Sequence, residues 1–472
     1  MTSPWFARRA LAVMCLVVSV PAALEAQRPT PCTLVPQPTT RLSLDSLPGV
    51  GQVIFLGGGV LFRCPSRGIT MQGDSAQRYA DHDQLIGNAV YDEPRFHVTA
   101  NYLNYLPNDE RVIAVGHVHA KLPSGSTLEG PLAEYQRPVA RLRPHERMIA
   151  SSRPTINIVE KDSLGRPTPP TTVLANTVFM DGDSLIYAGG DVIITRPDIG
   201  ATADSAFIDQ GHETMRLMRK PRLKGTKSRP FTLAGDVIDL FSQNRKLQRV
   251  RASDNATAVS DSMTLKSDTI DLRIRNDLLD HAYAWGAKSR ARVVSPSQNL
   301  LADSLDVAMP NQRVQLVYAF RRALAQGKPD TVRFRAEEPD TLDWLEGDTI
   351  IAHFDTVPVK DTSKTPNIKQ LLASGHASSL YHMAPSDSTE RRPAINHVTA
   401  RIITIDFDQQ RVATVTTVDS VNGIYIEPRS DSTSRRTNAT PPSKAPPGKT
   451  LPGKTPAKPA VPSIVPLPPK KP

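Results

Sequence analysis

Apolar and polar positions alternate along most of the chain, in short runs separated by turn residues. Between Thr171 and Gln210 the pattern gives a strand, a turn at 181–184, a second strand interrupted at Gly189–Gly190, and the start of a third strand. Side chains of a strand point alternately to opposite faces, so this period of two indicates β-structure. The pattern restarts after about 30 residues, as structural repeats do. No long helical period competes with it, so the sequence predicts an all-β protein.

Each repeat begins with a small residue, then Asp or Asn, then alternating apolar positions. The Asp or Asn falls at Asp74, Asn101, Asn176, Asp204, Asp236, Asp268, Asp303 and Asp348, and weaker copies place Pro131 and Arg401 there. These side chains have the parity of the apolar face, and we interpret them as a structural ladder that hydrogen-bonds to backbone amides nearby or in the neighbouring repeat. Gly87–Asn88, Gly116–His117 and Gly190–Asp191 mark a shared kink in three copies.

The positions two and four residues after the Asp or Asn are apolar in almost every copy. They include Leu103, Tyr105, Val178, Met180, Ala206, Ile208, Ile238, Leu240, Ile270, Leu272, Leu305, Val307, Ile350, Ile403 and Ile405. The opposite face carries hydroxyl and acidic residues such as Thr269 and Asp271. Stacking the repeats would bury the apolar face as one continuous interior, which a single hairpin could not do.

Composition divides the chain into four segments. They are a signal peptide at 1–26, an irregular Pro/Thr-rich segment at 27–48, the repeat region at 49–428 with loop insertions near 137–170, 321–341 and 356–392, and a disordered Pro/Lys-rich basic tail at 429–472. The signal is indicated by Arg8–Arg9 before an apolar run at 10–20, which is too short to span a membrane. Cys15 lacks the surroundings of a lipoprotein signal, so cleavage is favoured over lipidation.

The formal net charge of +10 does not identify a nucleic-acid-binding protein. Nine basic and only one acidic side chain lie from Arg429 to the end, so most of the excess belongs to the tail. The repeat region is close to neutral. Because nucleic-acid partners require a basic face, we predict no nucleic-acid binding by the repeats.

Removal of the signal peptide would leave Cys32 and Cys64 as the cysteines of the mature chain. Export permits a disulfide. Such a bond would close a loop of about 30 residues and contribute about 3 kcal/mol. Two unpaired thiols are the alternative, and we favour the disulfide.

Two motifs could suggest ligand chemistry. Residues 448–455 fit the phosphate-loop spacing, but Pro452 removes one amide and neither a strand nor a helix flanks the loop. His97, His117 and His119 lie in one repeat and are of a type that ligates metals. His117 occupies the kink position, however, which gives it a structural explanation.

Acidic residues also occur in pairs that could suggest acid–base catalysis or calcium binding. The pairs are Asp81/Asp83, Asp181/Asp183 and Asp406/Asp408. All lie at or beside repeated turns, where Asp is common for backbone reasons. We therefore predict no catalytic residues, no metal site, no cofactor and no enzymatic activity.

The repeats resemble those of the OstA-like (organic-solvent-tolerance-like) family, which includes LptA and the N-terminal domain of LptD. The resemblance rests on copies such as IGATADSAFI at 199–208, LLADSLDV at 300–307 and GGDVII at 189–194, and it extends roughly from Gly49 to Glu427. It implies an elongated, twisted β-jellyroll of stacked antiparallel strands, open at one edge. It further implies that the apolar positions given above form a lipid-binding groove for acyl chains.

The resemblance also implies a periplasmic location, associated with outer-membrane assembly. The implied partners are lipopolysaccharide or a similar lipid, other transport-bridge proteins joined by head-to-tail β-strand addition, and an outer-membrane barrel. The chain is longer than a typical LptA and lacks the barrel of LptD, so a bridge and an accessory role both stay open. The alternative interpretation is a non-transporting β-solenoid, either a scaffold or adhesion protein or a carbohydrate-active β-helix.

Overall fold

The computed structural model describes residues 32–428, except 163, 227–229, 261–262, 296–297, 330–341, 356–365, 384–391 and 410. The chain divides into two units, Met1–Glu427 and Pro428–Pro472, and the fold described below belongs to the first. The predicted signal peptide at 1–26 and the predicted disordered tail at 429–472 lie outside the described residues. In the described ranges, no helix has the length and hydrophobicity needed to cross a membrane.

Thirty strands occur in the described residues of this unit and account for most of them. The first fifteen are β1 Thr33–Leu34, β2 Arg41–Leu47, β3 Gly51–Cys64, β4 Ile69–Arg78, β5 Asp83–Glu93, β6 Phe96–Leu106, β7 Arg111–Lys121, β8 Thr127–Gln136, β9 Arg147–Ser151, β10 Thr155–Ile158, β11 Thr171–Leu174, β12 Thr177–Asp181, β13 Leu185–Thr195, β14 Ile199–Asp209 and β15 Thr214–Met218. The others are β16 Arg222–Gly225, β17 Phe231–Ala234, β18 Val237–Gln243, β19 Lys246–Ser260, β20 Met263–Arg275, β21 Leu278–Trp285, β22 Ala291–Val294, β23 Gln298–Ala302, β24 Ser304–Ala308, β25 Leu316–Gly327, β26 Asp343–Phe354, β27 Ile368–Met383, β28 Ala394–Asp408, β29 Arg411–Val418 and β30 Asn422–Ile426. Short 3₁₀ turns occur at Pro65–Arg67 and Pro310–Gln312.

All thirty strands belong to one hydrogen-bonded sheet. Successive layers pair antiparallel in chain order, as β12, β13 and β14 do. This pattern confirms the predicted all-β fold of stacked antiparallel strands. It contradicts the parallel β-helix alternative, because a parallel helix would pair its strands in the same direction.

Most layers are divided by a sharp kink into two halves. In β13, residues 185–189 pair with the second half of β14, residues 192–195 pair with its first half, and a bulge separates the two sets. The halves on either side of the kink thus build two walls. We call the wall that contains 185–189 the first wall and the wall that contains 192–195 the second wall.

The inner faces of the two walls pack against each other. Phe96 on the second wall stacks on Tyr135 of the first wall, with ring centroids 3.8 Å apart. The buried apolar side chains form one cluster that extends from Cys32 to Ile405. The predicted continuous interior is therefore present, and it lies between two walls of one folded sheet.

Each kink is made by two consecutive residues with left-handed backbone. The pairs are Gly58–Gly59, Gly87–Asn88, Gly116–His117, Ser152–Arg153, Gly190–Asp191, Arg219–Lys220, Asp254–Asn255, Arg321–Arg322, Gly375–His376 and Asp419–Ser420. In the strand alongside, one residue of the repeated Asp/Asn column faces the two kink residues. Two residues opposite one is the geometry of a β-bulge, which bends the strand.

Side chains of the Asp/Asn column bond to the kinks of the adjacent layer, forming what we call the corner ladder. Its contacts include Asn88 Nδ2 to Asp74 Oδ2 (2.9 Å), Arg153 Nη1 to Asn176 Oδ1 (3.0 Å), Asn255 Nδ2 to Asp236 Oδ2 (3.0 Å), Arg322 Nη2 to Asp303 Oδ1 (2.6 Å) and His376 Nδ1 to Asp348 Oδ2 (2.9 Å). The column bonds to the adjacent layer, but the predicted backbone-amide partners are wrong for these five contacts, which join side chains. Asp268 has the predicted kind of partner, since it accepts from the backbone N–H groups of Lys288 and Ser289.

The predicted parity of the Asp/Asn column is wrong. The column lies at the outer corner, and Asp204, for example, is exposed. In β14 the buried positions are Ala201 and Ala203 before the corner, but Ala206 and Ile208 after it. The inward face therefore changes parity at Asp204, because the bulge turns the strand there.

The structure also places strands inside segments that we predicted to be irregular or inserted. β1 and β2 lie in 27–48, β9 and β10 in 137–170, and β27 in 356–392. β2 is the first layer and pairs only with β3 in the described chain, so its alternating leucines stay exposed. β27 continues the repeat through its own kink at Gly375–His376. Parts of 321–341 and 356–392 lie outside the described residues.

Replacing Gly190 with alanine should destabilise the fold by about 1–2 kcal/mol. Gly190 has a φ of +76°, and an added Cβ would lie 2.6 Å from Asn176 Nδ2 and 2.9 Å from Asn176 Cβ. Gly200, in the adjacent strand, is the matched control, because a Cβ there meets nothing within 4 Å. Gly200→Ala should stay within about 0.5 kcal/mol of the parent. Equal urea-unfolding free energies for both variants would contradict the strained corner.

Candidate functional site

The predicted groove residues all lie on the inner face of the first wall. Each of the fifteen is at most 6% exposed and belongs to the single apolar cluster. They come from the second halves of alternate layers, such as Ile238 in β18, Ile270 in β20 and Leu305 in β24. The structure therefore brings them together in one lining, as their shared register predicted.

The facing half of the lining was not predicted. The second wall contributes buried residues that precede the Asp/Asn column in some strands and follow the kink in others, among them Phe62, Met71, Val98, Leu128, Ile156, Ile194, Leu223, Leu233 and Leu265. A signal for them exists, because apolar alternation is present before the column as well as after it. In β14, for example, Ile199, Ala201 and Ala203 alternate with exposed or half-buried positions.

The walls join at the corner ladder, and in the described residues between Cys32 and Arg245 their free rims meet along the opposite side of the interior. We call this line of contact the seam. Turns such as 107–110, 182–184 and 244–245 form the first-wall rim, and turns such as 65–68 and 94–95 form the second-wall rim. Two cavities of about 10 and 30 Å³ lie along it. Each has room for about one water molecule, so neither holds an acyl chain while the walls are closed.

In the described residues, ion pairs bridge the seam in three places, which we call clasps. In the first clasp, Glu93 of the second wall accepts from Tyr135 Oη at 2.5 Å and from Arg137 Nε at 2.7 Å, both from the first wall. Arg67 of the second wall lies 3.0 Å from Glu110 of the first. Each arginine thus holds an acid across the seam.

Tyrosines anchor the first clasp in the apolar interior. Tyr91 lies 6.1 Å from Tyr105 and 6.5 Å from Tyr135, measured between ring centroids. Tyr105 accepts a hydrogen bond from Arg67. Burial raises the pKa of all three phenols, so they stay protonated at neutral pH. Because the three phenols are neutral, they connect the charged residues of the rim to the apolar interior without burying additional charge.

The second clasp lies directly above the smaller cavity. Arg95 on the second-wall rim is 3.3 Å from Asp183 and 3.6 Å from Glu146, both on the first wall. Burial, reinforced by the neighbouring Glu146, raises the pKa of Asp183 despite the contact with Arg95. The ionised carboxylate is therefore only partly compensated here.

The third clasp lies above the larger cavity. Arg245 on the first-wall rim is 2.9 Å from Glu160 on the second wall and 3.8 Å from Glu213 on its own wall. Burial raises the pKa of Glu160, with a smaller contribution from Glu213, and Arg245 and Arg196 oppose the shift without cancelling it. The surroundings of Glu160, like those of Asp183, therefore disfavour the ionised form of its carboxylate.

The two ends of the sheet carry exposed apolar side chains. At the first end, Leu42 and Leu44 of β2 are 63% and 60% exposed. At the other end β29 and β30 pair only with β28 in the described chain, and Ile424 of β30 is 59% exposed. Both ends therefore present strand edges that can accept a further strand.

Cys32 and Cys64 are joined by a disulfide in the structure. Cys64 ends β3 on the second wall, and Cys32 immediately precedes β1, which pairs with β3. The bond ties the start of the described chain to the second wall. Arg78 of the first wall donates to the carbonyl of Cys32 at 3.2 Å, which links the tied segment across the seam.

The weaker chemical candidates are separated by the fold. His97 lies 3.0 Å from Asp92, His117 bonds to Asn101 in the corner ladder, and His119 lies 3.4 Å from Glu129. No group of three or more His, Cys, Asp or Glu in the described residues has an arrangement able to hold a metal ion.

The acidic pairs at turns also have separate partners. Asp181 lies 3.4 Å from Arg147, while Asp183 belongs to the second clasp. Asp81 bonds to His82 at 2.8 Å, and Asp406 accepts from Gln370 at 2.8 Å. The structure therefore assembles none of these pairs around a common centre. The phosphate-loop match at 448–455 lies outside the described residues.

The sequence matches no known protein-family model and no curated protein. Among solved structures, the chain is similar to LptH, the LptA homologous periplasmic component of the conserved lipopolysaccharide transport device from Pseudomonas aeruginosa. The two are 18% identical, the match covers 27% of this chain and 94% of that chain, and the TM-score is 0.23. This is a distant structural resemblance.

Proposed function

We propose that this protein is a periplasmic lipid carrier that takes part in lipopolysaccharide transport to the outer membrane and in its assembly there. In this proposal the acyl chains lie between the two walls, against the predicted groove residues, and the polar part of the lipid lies at the seam. The protein acts by binding and transfer and catalyses no reaction.

The observation that carries the proposal is the organisation of the interior. One apolar cluster extends through the described layers, and along the seam it is closed by rim-to-rim contacts. An acyl chain placed there would gain about 0.8 kcal/mol for each buried methylene. Because the two cavities at the seam are water-sized, loading there requires the rims to part while the corner ladder keeps the walls joined.

The exposed strand edges support the second half of the proposal. An edge strand can be extended by a strand of another protein, with backbone hydrogen bonds supplying the affinity. Joining the β30 end of one copy to the β2 end of the next would continue the lining from molecule to molecule. We propose bridge proteins of similar fold, and an outer-membrane barrel, as the partners at these ends.

The test is site-specific photo-crosslinking in cells. A photoreactive side chain at position 270 should label lipid, because Ile270 is completely buried in the first-wall lining. The same group at position 269 is the matched control, because Thr269 points to the outer face. Labelling from 269 but not 270 would invert the face assignment. If the protein is folded and abundant and neither position labels lipid, the scaffold alternative is favoured over transport.

A further inference from the structure

The arginines of the three clasps occupy equivalent places in the fold. Arg67, Arg95, Arg137 and Arg245 all come from turns on the rims, and the acids that they hold across the seam are Glu110, Asp183, Glu93 and Glu160. Apolar lining lies immediately inside each clasp. A cation at the edge of an apolar compartment is the arrangement that complements a lipid with an anionic headgroup.

We propose that these seam arginines bind the phosphate groups of a lipid whose acyl chains enter between the walls, and that the clasp carboxylates occupy the phosphate positions when no lipid is bound. The inference rests on the proposed lipid-carrier function and assigns the side chains that hold the phosphates of the lipid. Opening the seam would break the cross-wall ion pairs and leave the four guanidinium groups at the open rims, with Arg137 and Arg245 still beside Glu110 and Glu213 of their own wall.

Arginine chemistry favours such an exchange. The planar guanidinium offers a fork of N–H donors that fits carboxylate and phosphate oxygens equally well. Arg137 already uses two nitrogens for two different acids, Nε for Glu93 and Nη1 for Glu110. A phosphate group, with more charge and more acceptor oxygens than one carboxylate, can replace such an acid without changing the donor geometry.

Two of the clasp carboxylates, Asp183 and Glu160, lie in surroundings that disfavour their ionised form. The pKa of Asp183 and the pKa of Glu160 are both raised by burial, even though each touches an arginine. At the corner the opposite holds, because the hydrogen bonds from Arg322 lower the pKa of Asp303. Asp303 thus stabilises a permanent joint, whereas Asp183 and Glu160 are poorly compensated when the seam is closed and regain water when it opens.

The experiment compares two probes with identical acyl chains, presented in the same detergent micelles. One is hexa-acylated lipid A with two phosphates, and the other is the same lipid after enzymatic removal of both phosphates. Apparent Kd values are measured for the full chain from the lipid that co-elutes with protein in gel filtration, quantified by mass spectrometry. The variants are Arg95→Gln/Arg245→Gln together, Asp183→Asn, and the control Arg216→Gln.

Arg216 is a matched control because it forms the same kind of pair away from the seam. Its Nε lies 2.6 Å from Asp239 on the outer face of the first wall. The parent should bind the phosphorylated probe about tenfold more tightly, the scale of a charge-assisted hydrogen bond. The double variant should lose that preference and keep its affinity for the dephosphorylated probe. Asp183→Asn should bind the phosphorylated probe more tightly, and Arg216→Gln should match the parent.

Failure of the inference and failure of the proposed function give different results. If the parent and the double variant bind both probes equally, the arginines do not recognise phosphate, and the lipid-carrier proposal survives without them. If Arg216→Gln reduces binding of the phosphorylated probe as much as the double variant does, the effect is general electrostatics and the seam site is refuted. If the folded parent binds neither probe, the carrier function itself is wrong.

Discussion

Replacing Ile270 with aspartate should abolish folding of the layers around it or destabilise them by about 4 kcal/mol or more. Ile270 is 0% exposed and lies in register between Ala252 of β19 and Ala284 of β21. Because both register neighbours are alanines, the Ile270 side chain fills most of the space at this point of the interior. A carboxylate there would have no basic partner from its register neighbours and would either disrupt packing or take up a proton.

Thr269→Asp is the control for this substitution. Thr269 is adjacent in sequence but faces outward, opposite Ser253 and Trp285. The added charge stays in contact with water, so unfolding free energy should change by no more than about 0.5 kcal/mol. Urea unfolding followed by circular dichroism measures both variants. A stable Ile270→Asp protein, or equal losses in the two variants, would show that the first-wall face is not the closed interior.

The opposite orientations of Thr269 and Ile270 are predictable from the sequence alone, because they follow from the alternation of neighbouring residues along one strand. Strand alternation places every second side chain on the same face, so the register of one apolar column predicts the lining of the first wall. The kinks at Gly87–Asn88, Gly116–His117 and Gly190–Asp191 could be located because glycine there signals left-handed backbone. These features depend on residues close together in the chain.

Kinks without glycine could not be found in that way. Ser152–Arg153, Arg219–Lys220 and Arg321–Arg322 adopt the same left-handed backbone, although none of these residue types favours it. They are held there by the layers on both sides. The hidden kink at Ser152–Arg153 explains one error, because a repeat with an unnoticed corner can be mistaken for an insertion, as 137–170 was.

The clasps could not be predicted because they join residues that are distant in sequence. Arg95 and Asp183 are 88 positions apart, and Arg245 and Glu160 are 85 apart. They meet only because the two walls fold onto each other over several layers. Alternation within a strand carries no information about which rim turn faces which, so the seam chemistry becomes visible only in three dimensions.

A second substitution with a large expected effect on stability is at Asp271, on the outer face of the first wall. Asp271 is on the predicted polar face, yet its side chain is only 1% exposed because three arginines cover it. Arg249 Nη2 lies 2.5 Å away, and Arg251 Nε and Arg273 Nε both lie 3.0 Å away. Arg249 also packs over the Phe241 ring at 5.2 Å, which holds its guanidinium over the carboxylate.

Asp271→Ala should therefore destabilise the protein by about 2–3 kcal/mol. Removing the shared anion leaves three guanidinium groups beside one another, and their mutual repulsion replaces three attractive contacts. The loss stays below that of a fully buried pair, because the arginine side chains are 24–46% exposed and can turn toward water.

Asp239→Ala in the adjacent strand pair is the matched control, since Asp239 pairs with one arginine among the described residues, Arg216, which is 56% exposed. Removing this single surface pair should cost no more than about 1 kcal/mol. Urea unfolding of both variants at low and at high salt separates the two cases. The deficit of Asp271→Ala relative to the parent should shrink at high salt, because salt screens the repulsion among the arginines. Equal stability losses for Asp271→Ala and Asp239→Ala, at either salt concentration, would mean that the three arginines do not depend on their common acid.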